Sequence, residues 1–480
     1  VRTLRKIALW EARHPKLVLL IALLLVIPAA VGFFSTGVNY DILSYLPDDL
    51  ESVQGEAVLD ETFGTAGISI VITENASPKQ TAALKDRILE IDHVDSVIWV
   101  DTIADVGIPA EILPDIMRDV FYSEDDSKTM MLVRYEQSEG EEGADLAAIG
   151  EIKNLLDDKT YISGISVMVD DTHDLADNQA PIYISIAVVL AMAVMLIMMK
   201  SWLQPFVILG TLGLAVIYNM GTNFFMGEIS FVTQCVAAIL QMGVTMDYSI
   251  FLIDRYAEEK PRFGSREEAM AEAVSKSFSA LLGSSLTTVF GFAALCFMRL
   301  RLGFDIGFVM AKGVVFGILT VVFVLPAILI IFEEPMARYT HKSHIPRLTK
   351  INRFTVKHRR ALALVFLLLL APTYLLQRNV DKYYSMDRAL PSYMSSIEGI
   401  EVLKSDFGMA STQFVIVDDS IPARKLISME REIEKLEGIS YILAYNSLVG
   451  PGIPDAIIPD EILELCKQDG LQLIMVNSQY

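Results

Sequence analysis

Cysteine is almost missing: three residues in 480, too few for a disulfide framework. Cys235 and Cys296 lie in apolar runs, as small hydrophobes in packed helices do, and Cys466 stands in a polar region without an obvious mate. No glycine loop of the Walker type occurs, so the chain does not support a primary ATP-driven pump. No ligand spacing fits a metal and no cofactor motif is present. Serine–histidine and cysteine–histidine arrangements are absent too, and the six histidines mostly flank apolar runs, so an enzyme is not expected. Basic residues are the minority, 39 against 60 acidic ones, for a net charge of -21. Nucleic acid is thereby excluded as a partner, because its phosphates would be repelled.

What the sequence has in abundance is apolar surface. Hydrophobic residues make up 52% of the chain and mean hydropathy is +0.43, too apolar for a soluble protein of this length. Two compositions are averaged in that figure. From Tyr40 to Asn178 about thirty Asp and Glu face about eight Lys and Arg, the composition of a water-exposed domain. The apolar excess sits in seven runs: Leu17–Phe34, Ile182–Met199, Pro205–Phe225, Ile229–Ile253, Phe278–Met298, Ile306–Phe332 and Ala361–Leu376. Each approaches the ~20 residues that a spanning helix needs. The first has the basic lead of a signal peptide, but its core is too long and Val31-Gly32-Phe33-Phe34 is a poor cleavage site, so a retained anchor is expected.

Basic flanks set the expected orientation. The N-terminus, Lys200, the loop Arg255–Lys276 and the segment Arg338–Arg360 all fall on one side, the cytoplasm, and the acidic segments fall outside. Arg299 and Arg301, in a short external loop, run against the rule.

A fixed offset of 344 residues links His14 to His358, Pro28 to Pro372, Leu46-Pro47 to Leu390-Pro391 and Phe63-Gly64 to Phe407-Gly408. After a one-residue slip, Ile108-Pro109 returns as Ile453-Pro454 and Leu113-Pro114 as Ile458-Pro459. The chain therefore reads as a duplicated unit of one span, one external domain and five spans, whose second copy stops within its external domain. With Val1 in place of Met, this predicts a longer complete protein, by roughly 200 residues or more, about one further helical bundle. Within the first external domain, strands are expected at Gly67–Thr73, Val94–Asp101, Met130–Tyr135 and Ile165–Val169, with helices at Pro78–Ile91 and near Leu146–Leu156. That is the pattern of a split β-α-β, ferredoxin-like sheet.

The fourth apolar run carries the polar groups of interest. Asp247 lies well inside it, where a carboxylate costs at least ~2.5 kcal/mol, so its presence needs a reason. Binding and releasing a proton is one; pinning helices together through hydrogen bonds is the other. Gln234, Gln241 and Tyr248 are seven apart on one face, with Thr245 beside them. Tyr248 belongs either to the same chemistry or to packing. Asp254, two turns on, marks a proton exit or an interfacial charge. Gly243 would admit a neighbouring helix closely. Ser284, Ser285, Thr287 and Thr288 of the fifth run could face this seam or bond back to their own helix. Lys312 in the sixth either snorkels outward or pairs with a carboxylate. Between the fourth and fifth runs, Gly264–Lys276 reads as an amphipathic helix opened by a Ser265–Glu268 capping box, either lying on the membrane surface or serving as a plain solvated linker.

The segment Gly243-Val-Thr-Met-Asp-Tyr-Ser-Ile-Phe-Leu-Ile-Asp-Arg-Tyr-Ala-Glu-Glu259 resembles the resistance-nodulation-division (RND) superfamily, in its MMPL-type, hydrophobe/amphiphile exporter branch. The likeness covers essentially the whole chain, and the five-span bundle also resembles the sterol-sensing domain of Patched-like proteins. The resemblance implies a membrane α-helical bundle with α+β ferredoxin-like extracytoplasmic domains. It divides the chain into a cytoplasmic N-terminus with the first span (1–36), a porter-like domain (37–181) and a five-helix bundle (182–332). A basic cytoplasmic linker (333–360), a seventh span (361–377) and an incomplete second external domain (378–480) complete the division. It also implies proton-driven export of hydrophobic or amphiphilic drugs or lipids across the cell membrane, and allows a homo-oligomer. Asp247 and Tyr248 map onto the proton relay, with Gln241, Thr245, Asp254, Ser284, Thr288 and Lys312 as candidate neighbours. The family's partner pair belongs about 344 residues beyond Asp247, outside this sequence. A lipid- or sterol-binding sensor and a SecDF-like, proton-driven secretion accessory are the alternatives.

Overall fold

The computed structural model describes residues 2–63, 67–102, 118, 120–135, 144–341, 349–380, 390–446, 463 and 466–478. Gly64 and the pairs Ile108-Pro109, Leu113-Pro114, Ile453-Pro454 and Ile458-Pro459 lie outside them. The chain divides into two compact units, Val1–Leu46 with Ala176–Tyr384, and Pro47–Leu175 with Ser385–Tyr480.

The first unit is helical. Among the described residues, seven helices are long and apolar enough to cross a membrane: Pro15–Phe34, Ile165–Met198, Gln204–Met226, Phe231–Arg262, Arg266–Leu295, Arg301–Ile331 and Arg359–Arg378. They are called here the first to seventh spans. In hydrocarbon a helix satisfies its own backbone, which is why these apolar runs take that form. The first span meets the third backbone to backbone: a Cβ on Gly32 would stand 2.1 Å from the Gly221 carbonyl oxygen. The sixth is the most enclosed. It runs as α-helix from Arg301 to Leu319, opens into a π turn at Thr320–Val324 and resumes as Leu325–Ile331. Pro326 lacks the N–H that an unbroken α-helix would require, and the wider turn just before it absorbs the defect. Val314, Val321 and Leu325 of this span pack with Ile208 and Leu252 in the bundle core. A short parallel pair, β1 (Gly37–Asn39) with β6 (Glu228–Ser230), ties the chain after the first span to the start of the fourth.

One sequence expectation is corrected here. Gly264–Lys276 does not form a separate surface helix; from Arg266 it is the opening of the continuous fifth span. Ser265 caps it, accepting from the Glu268 amide at 3.2 Å. Ala269, Met270, Ala273 and Val274 are buried, because the N-terminal helix Arg2–Arg13 lies against this stretch. The seventh span buries none of its residues against the described chain.

The second unit holds two antiparallel sheets. In the first, β2 (Ile68–Glu74), β3 (Val94–Ile98), β4 (Lys128–Tyr135) and β5 (Thr160–Ser163) stand in the order β3-β4-β2-β5. Helix Pro78–Leu89 links β2 to β3 and helix Ala144–Leu155 precedes β5. Trp99 is 1% exposed in the core and donates its indole N–H to Thr129 Oγ1 at 2.9 Å. The strand expected at Ile165–Val169 is not there. β5 ends at Ser163, Gly164 turns at φ +136, and Ile165 begins the long second span. The alternation of Ile165, Val167 and Val169 misled, since the buried set is Ser166, Val167, Asp170 and Asp171, which is helical spacing. β3 is also shorter than expected, giving way to a 3₁₀ turn at Val100–Thr102.

The second sheet repeats the first. β7 (Ser411–Asp418), helix Ala423–Ile433, β8 (Ile439–Ala444) and β10 (Leu471–Ser478) fall within a few residues of β2, helix Pro78–Leu89, β3 and β4 displaced by 344. Their order, β7-β10-β8, reproduces β2-β4-β3, with the two-residue β9 (Lys467–Gln468) added on β10. Helices Glu51–Phe63 and Ser395–Asp406 correspond in the same way. The two halves are locked by charge. Lys153 donates to Asp170 and Asp171, each at 2.6 Å, while Asp171 accepts from the Ser396 amide at 2.8 Å and from the Ser395 hydroxyl. Burial alone would lower the Lys153 ammonium, but its bonds to the two carboxylates outweigh burial and hold it above the ordinary lysine value.

Candidate functional site

The fourth span organises the polar interior. Ser230 caps its start, accepting from the Val232 amide at 3.2 Å. Asp305 of the sixth span, 4% exposed, accepts from the Ser230 amide at 2.8 Å and the Thr233 hydroxyl at 2.5 Å. Two to three turns deeper, Asn219 of the third span donates to Gln241 Oε1 at 2.9 Å, both side chains being fully enclosed. Room for them comes from the sixth span. A Cβ on Gly313 would lie 2.7 Å from Asn219 Nδ2, and one on Gly317 would lie 2.4 Å from Thr245 Oγ1. Gln241 Nε2, Thr245 Oγ1, Asn219 Oδ1 and Asp305 Oδ1 are buried without a hydrogen-bond partner among the described residues. Buried polar atoms of this kind are costly and call for an explanation.

Lys312 neither snorkels outward nor bonds to a carboxylate. Its Nζ donates to the Asn219 carbonyl at 3.0 Å, Thr222 Oγ1 at 2.9 Å and Asn223 Oδ1 at 2.5 Å. It thus closes the C-terminal end of the third span, where free carbonyls and the helix dipole favour a cation.

The candidate relay residues divide between two faces. Gln241, Thr245 and Tyr248 are buried in the bundle with the seam. Asp247 points away from them. It lies on an exposed stripe with Val236, Leu240, Gly243, Phe251, Asp254 and Glu258, spaced by threes and fours. Asp247 and Tyr248 therefore do not meet, and Asp247 makes no hydrogen bond or ion pair among the described residues. Nothing described lies within 4 Å of where a Gly243 Cβ would stand, so no described helix approaches there. On the fifth span, Ser284 and Thr287 are exposed and Thr288 is partly covered. Ser285, Thr287 and Thr288 bond to carbonyls of their own helix, at 3.0, 3.0 and 3.2 Å, rather than to the seam. Asp254 is exposed two turns from Asp247. Beyond it, buried Glu259 meets Arg262 at 3.2 Å and Lys276 at 3.1 Å, clamping the fourth span to the fifth. Among the described residues no group of three or more His, Cys, Asp or Glu could hold a metal ion.

Asn219, Asp305, Gly313 and Gly317 were not singled out by the sequence. Asp305 carried a weak signal, an acid directly before the sixth apolar run; the two glycines, four apart, became informative only once the helices facing them were known.

The family model for MMPL matches residues 45–356, from before the first sheet to beyond the sixth span. The chain belongs to the MMPL family. Relatives of this family member include YdgH of Bacillus subtilis, named as a membrane protein, 23% identical over 92% of this chain and 51% of its own length. A Methanocaldococcus jannaschii protein, also named as a membrane protein, is 23% identical over 69% of this chain and 94% of its own. The siderophore exporter MmpL5 of Mycobacterium tuberculosis is 24% identical over 63% of this chain and 33% of its own. The chain thus spans nearly all of one relative and about half or less of the others. With its seven apolar helices, this MMPL protein is a multi-pass membrane protein.

Proposed function

We propose that this MMPL protein is a proton-driven secondary transporter that exports hydrophobic or amphiphilic compounds, drugs or lipids, across the cell membrane. The observation that carries the reading is Asp247. About 18 Å of helix separates it from Glu259, a distance that supports a position at hydrocarbon depth. It stands on a face that this chain leaves bare, and a carboxylate there is tolerated only against protein or water. The duplicated sheets support a second copy of the whole plan, whose bundle would cover that face and supply the partner group of the relay. Tyr248, Thr245 and Gln241, behind Asp247, would connect the relay to the seam of the sixth span.

In this reading the N-terminus and basic loops are cytoplasmic and the α+β segments, 37–181 and 378–480, are extracytoplasmic porter domains. Their strand orders support a ferredoxin-like fold, with four strands described in the first sheet and the β7-β10-β8 order of the second matching three of them. Proton flow through the bundle would drive their movement and alternate the substrate's access. The name of the siderophore exporter among the relatives supports export as the direction of transport. Transport by the full-length protein in proteoliposomes with an imposed pH gradient tests the proposal: substrate movement that ignores collapse of the gradient would refute it.

A further inference from the structure

A groove of about 360 Å³ runs beside the first span, walled by Ala22 and Leu25, by Tyr218 of the third span and by Phe316 and Phe323 of the sixth. Its volume lies within the ~300–1,000 Å³ typical of small-molecule sites. Its origin is local. The first and third spans touch at Gly32 and Gly221, whereas at Ala22 a tyrosine side chain bridges them, the Tyr218 hydroxyl donating to the Ala22 carbonyl at 2.6 Å. The π turn Thr320–Val324 supplies part of the opposite wall.

Besides the Trp10 indole N–H, three polar side chains line the groove, and two of these are committed. Tyr218 is held by the Ala22 carbonyl, and Thr320 Oγ1 donates to the Phe316 carbonyl at 2.7 Å. The third is Glu11. It lines the groove, is 4% exposed, and its Oε2 has no hydrogen-bond partner among the described residues. Its position is fixed by the helix Arg2–Arg13. Ala8 and Ala12, on the same face, are buried to 2% and 1%, and Arg5 pairs with Glu272 of the fifth span at 3.1 Å. Burial pushes the Glu11 carboxyl up to about 8. Trp10, 49% exposed, stands at the same rim.

We infer that this groove binds a single-chain amphiphile with a primary-ammonium head, its apolar chain along the first span and its ammonium against Glu11. With the groove empty, burial holds Glu11 largely protonated; an ammonium set against Oε2 draws out the carboxylate by bringing the opposite charge and hydrogen-bond donors, so its advantage over an alcohol grows as pH rises toward 8. The neighbouring indole adds a favourable ring face for a cation. A carboxylate head brings neither countercharge nor donor to the ionised form of Glu11, and an alcohol brings one donor without charge. The site deepens the export reading by naming a substrate class; binding itself is independent of that reading, and only the later transport of the bound amphiphile rests on it.

The test is equilibrium binding without any pH gradient, so its failure is distinct from a failure of proton coupling. The full chain, in phosphatidylcholine nanodiscs, is photolabelled with dodecylamine carrying a diazirine near its tail. Labelled residues are then mapped, with unlabelled dodecylamine, dodecanol and dodecanoate as competitors. Labelling is expected on Leu25, Phe316 or Phe323, with dodecylamine competing at least tenfold better than dodecanol and dodecanoate worse than both. Glu11→Gln should erase the tenfold preference and leave competition by dodecanol unchanged. Leu25→Trp, which fills the groove from an exposed position, should remove labelling and keeps the test decisive if the first variant does not fold. Labelling elsewhere, an undiminished amine preference in Glu11→Gln, or equal competition by dodecanoate would overturn the inference.

Discussion

Adding one methyl group at two glycines of the bundle should have opposite consequences. At Gly317 a Cβ would fall 2.4 Å from Thr245 Oγ1 and 2.7 Å from its Cγ2, inside a buried contact between the sixth and fourth spans. At Gly243, on the fourth span, it would meet nothing within 4 Å among the described residues. Gly→Ala within a helix gains about 1 kcal/mol from backbone entropy at either place. Overpacking a close contact costs about 1–3 kcal/mol. Gly243→Ala should therefore stabilise slightly, and the difference between the two variants isolates the overpacking cost, a factor of about five to about 150 in the unfolding equilibrium. Reversible unfolding in mixed micelles reads it directly. Thr245→Ala removes the two atoms in the way, and its own hydroxyl has no partner to lose among the described residues. The double variant Thr245→Ala/Gly317→Ala should thus recover most of the loss, a coupling of neighbours rather than additivity. If Gly317→Ala is as stable as Gly243→Ala, or if Thr245→Ala fails to rescue it, the packing of the seam between these spans is wrong.

Other contacts of the chain carry expectations of their own. Asp305→Ala strips the Ser230 amide and the Thr233 hydroxyl of their acceptor, which should cost about 1–3 kcal/mol per orphaned group and speed amide exchange at the start of the fourth span. Lys153→Met leaves Asp170 and Asp171 buried without their cation; a loss of about 3–5 kcal/mol, read in thermal melts of the α+β unit, is expected. Glu11 is raised from 4.5 to about 8, so its protonated form suits the folded chain. Its stabilising effect is full below pH 4.5 and is lost as pH rises through about 8, by up to about 5 kcal/mol. Glu11→Gln should flatten that part of the pH–stability profile, and an unchanged profile would contradict the burial assigned to Glu11.

Periodic features were legible in the sequence. Seven apolar runs became seven helices, and the 344-residue offset located the elements of the second sheet. Two kinds of feature were hidden. Alternating Ile165, Val167 and Val169 satisfied a strand pattern over five residues, too few to exclude a helix, and Gly164 alone marked the change. Helix faces were the other. Heptad spacing correctly grouped Gln241 with Tyr248, yet Asp247 sits about 100° around the helix from Tyr248, on the bare side. Sequence spacing defines which residues share a face, and only packing defines which face is covered. The partners of Lys312 were hidden for the same reason: a helix-end carbonyl, a threonine hydroxyl and an asparagine side chain come near it only through tertiary structure.

The proton-coupled reading depends most on Asp247. Full-length wild-type protein and Asp247→Asn, reconstituted side by side, should be compared for amphiphile transport under an imposed pH gradient, with equal incorporation and equal thermal stability as controls. The account predicts that the variant keeps its fold and substrate binding but loses gradient-driven transport by at least a hundredfold. Undiminished transport by Asp247→Asn would contradict it.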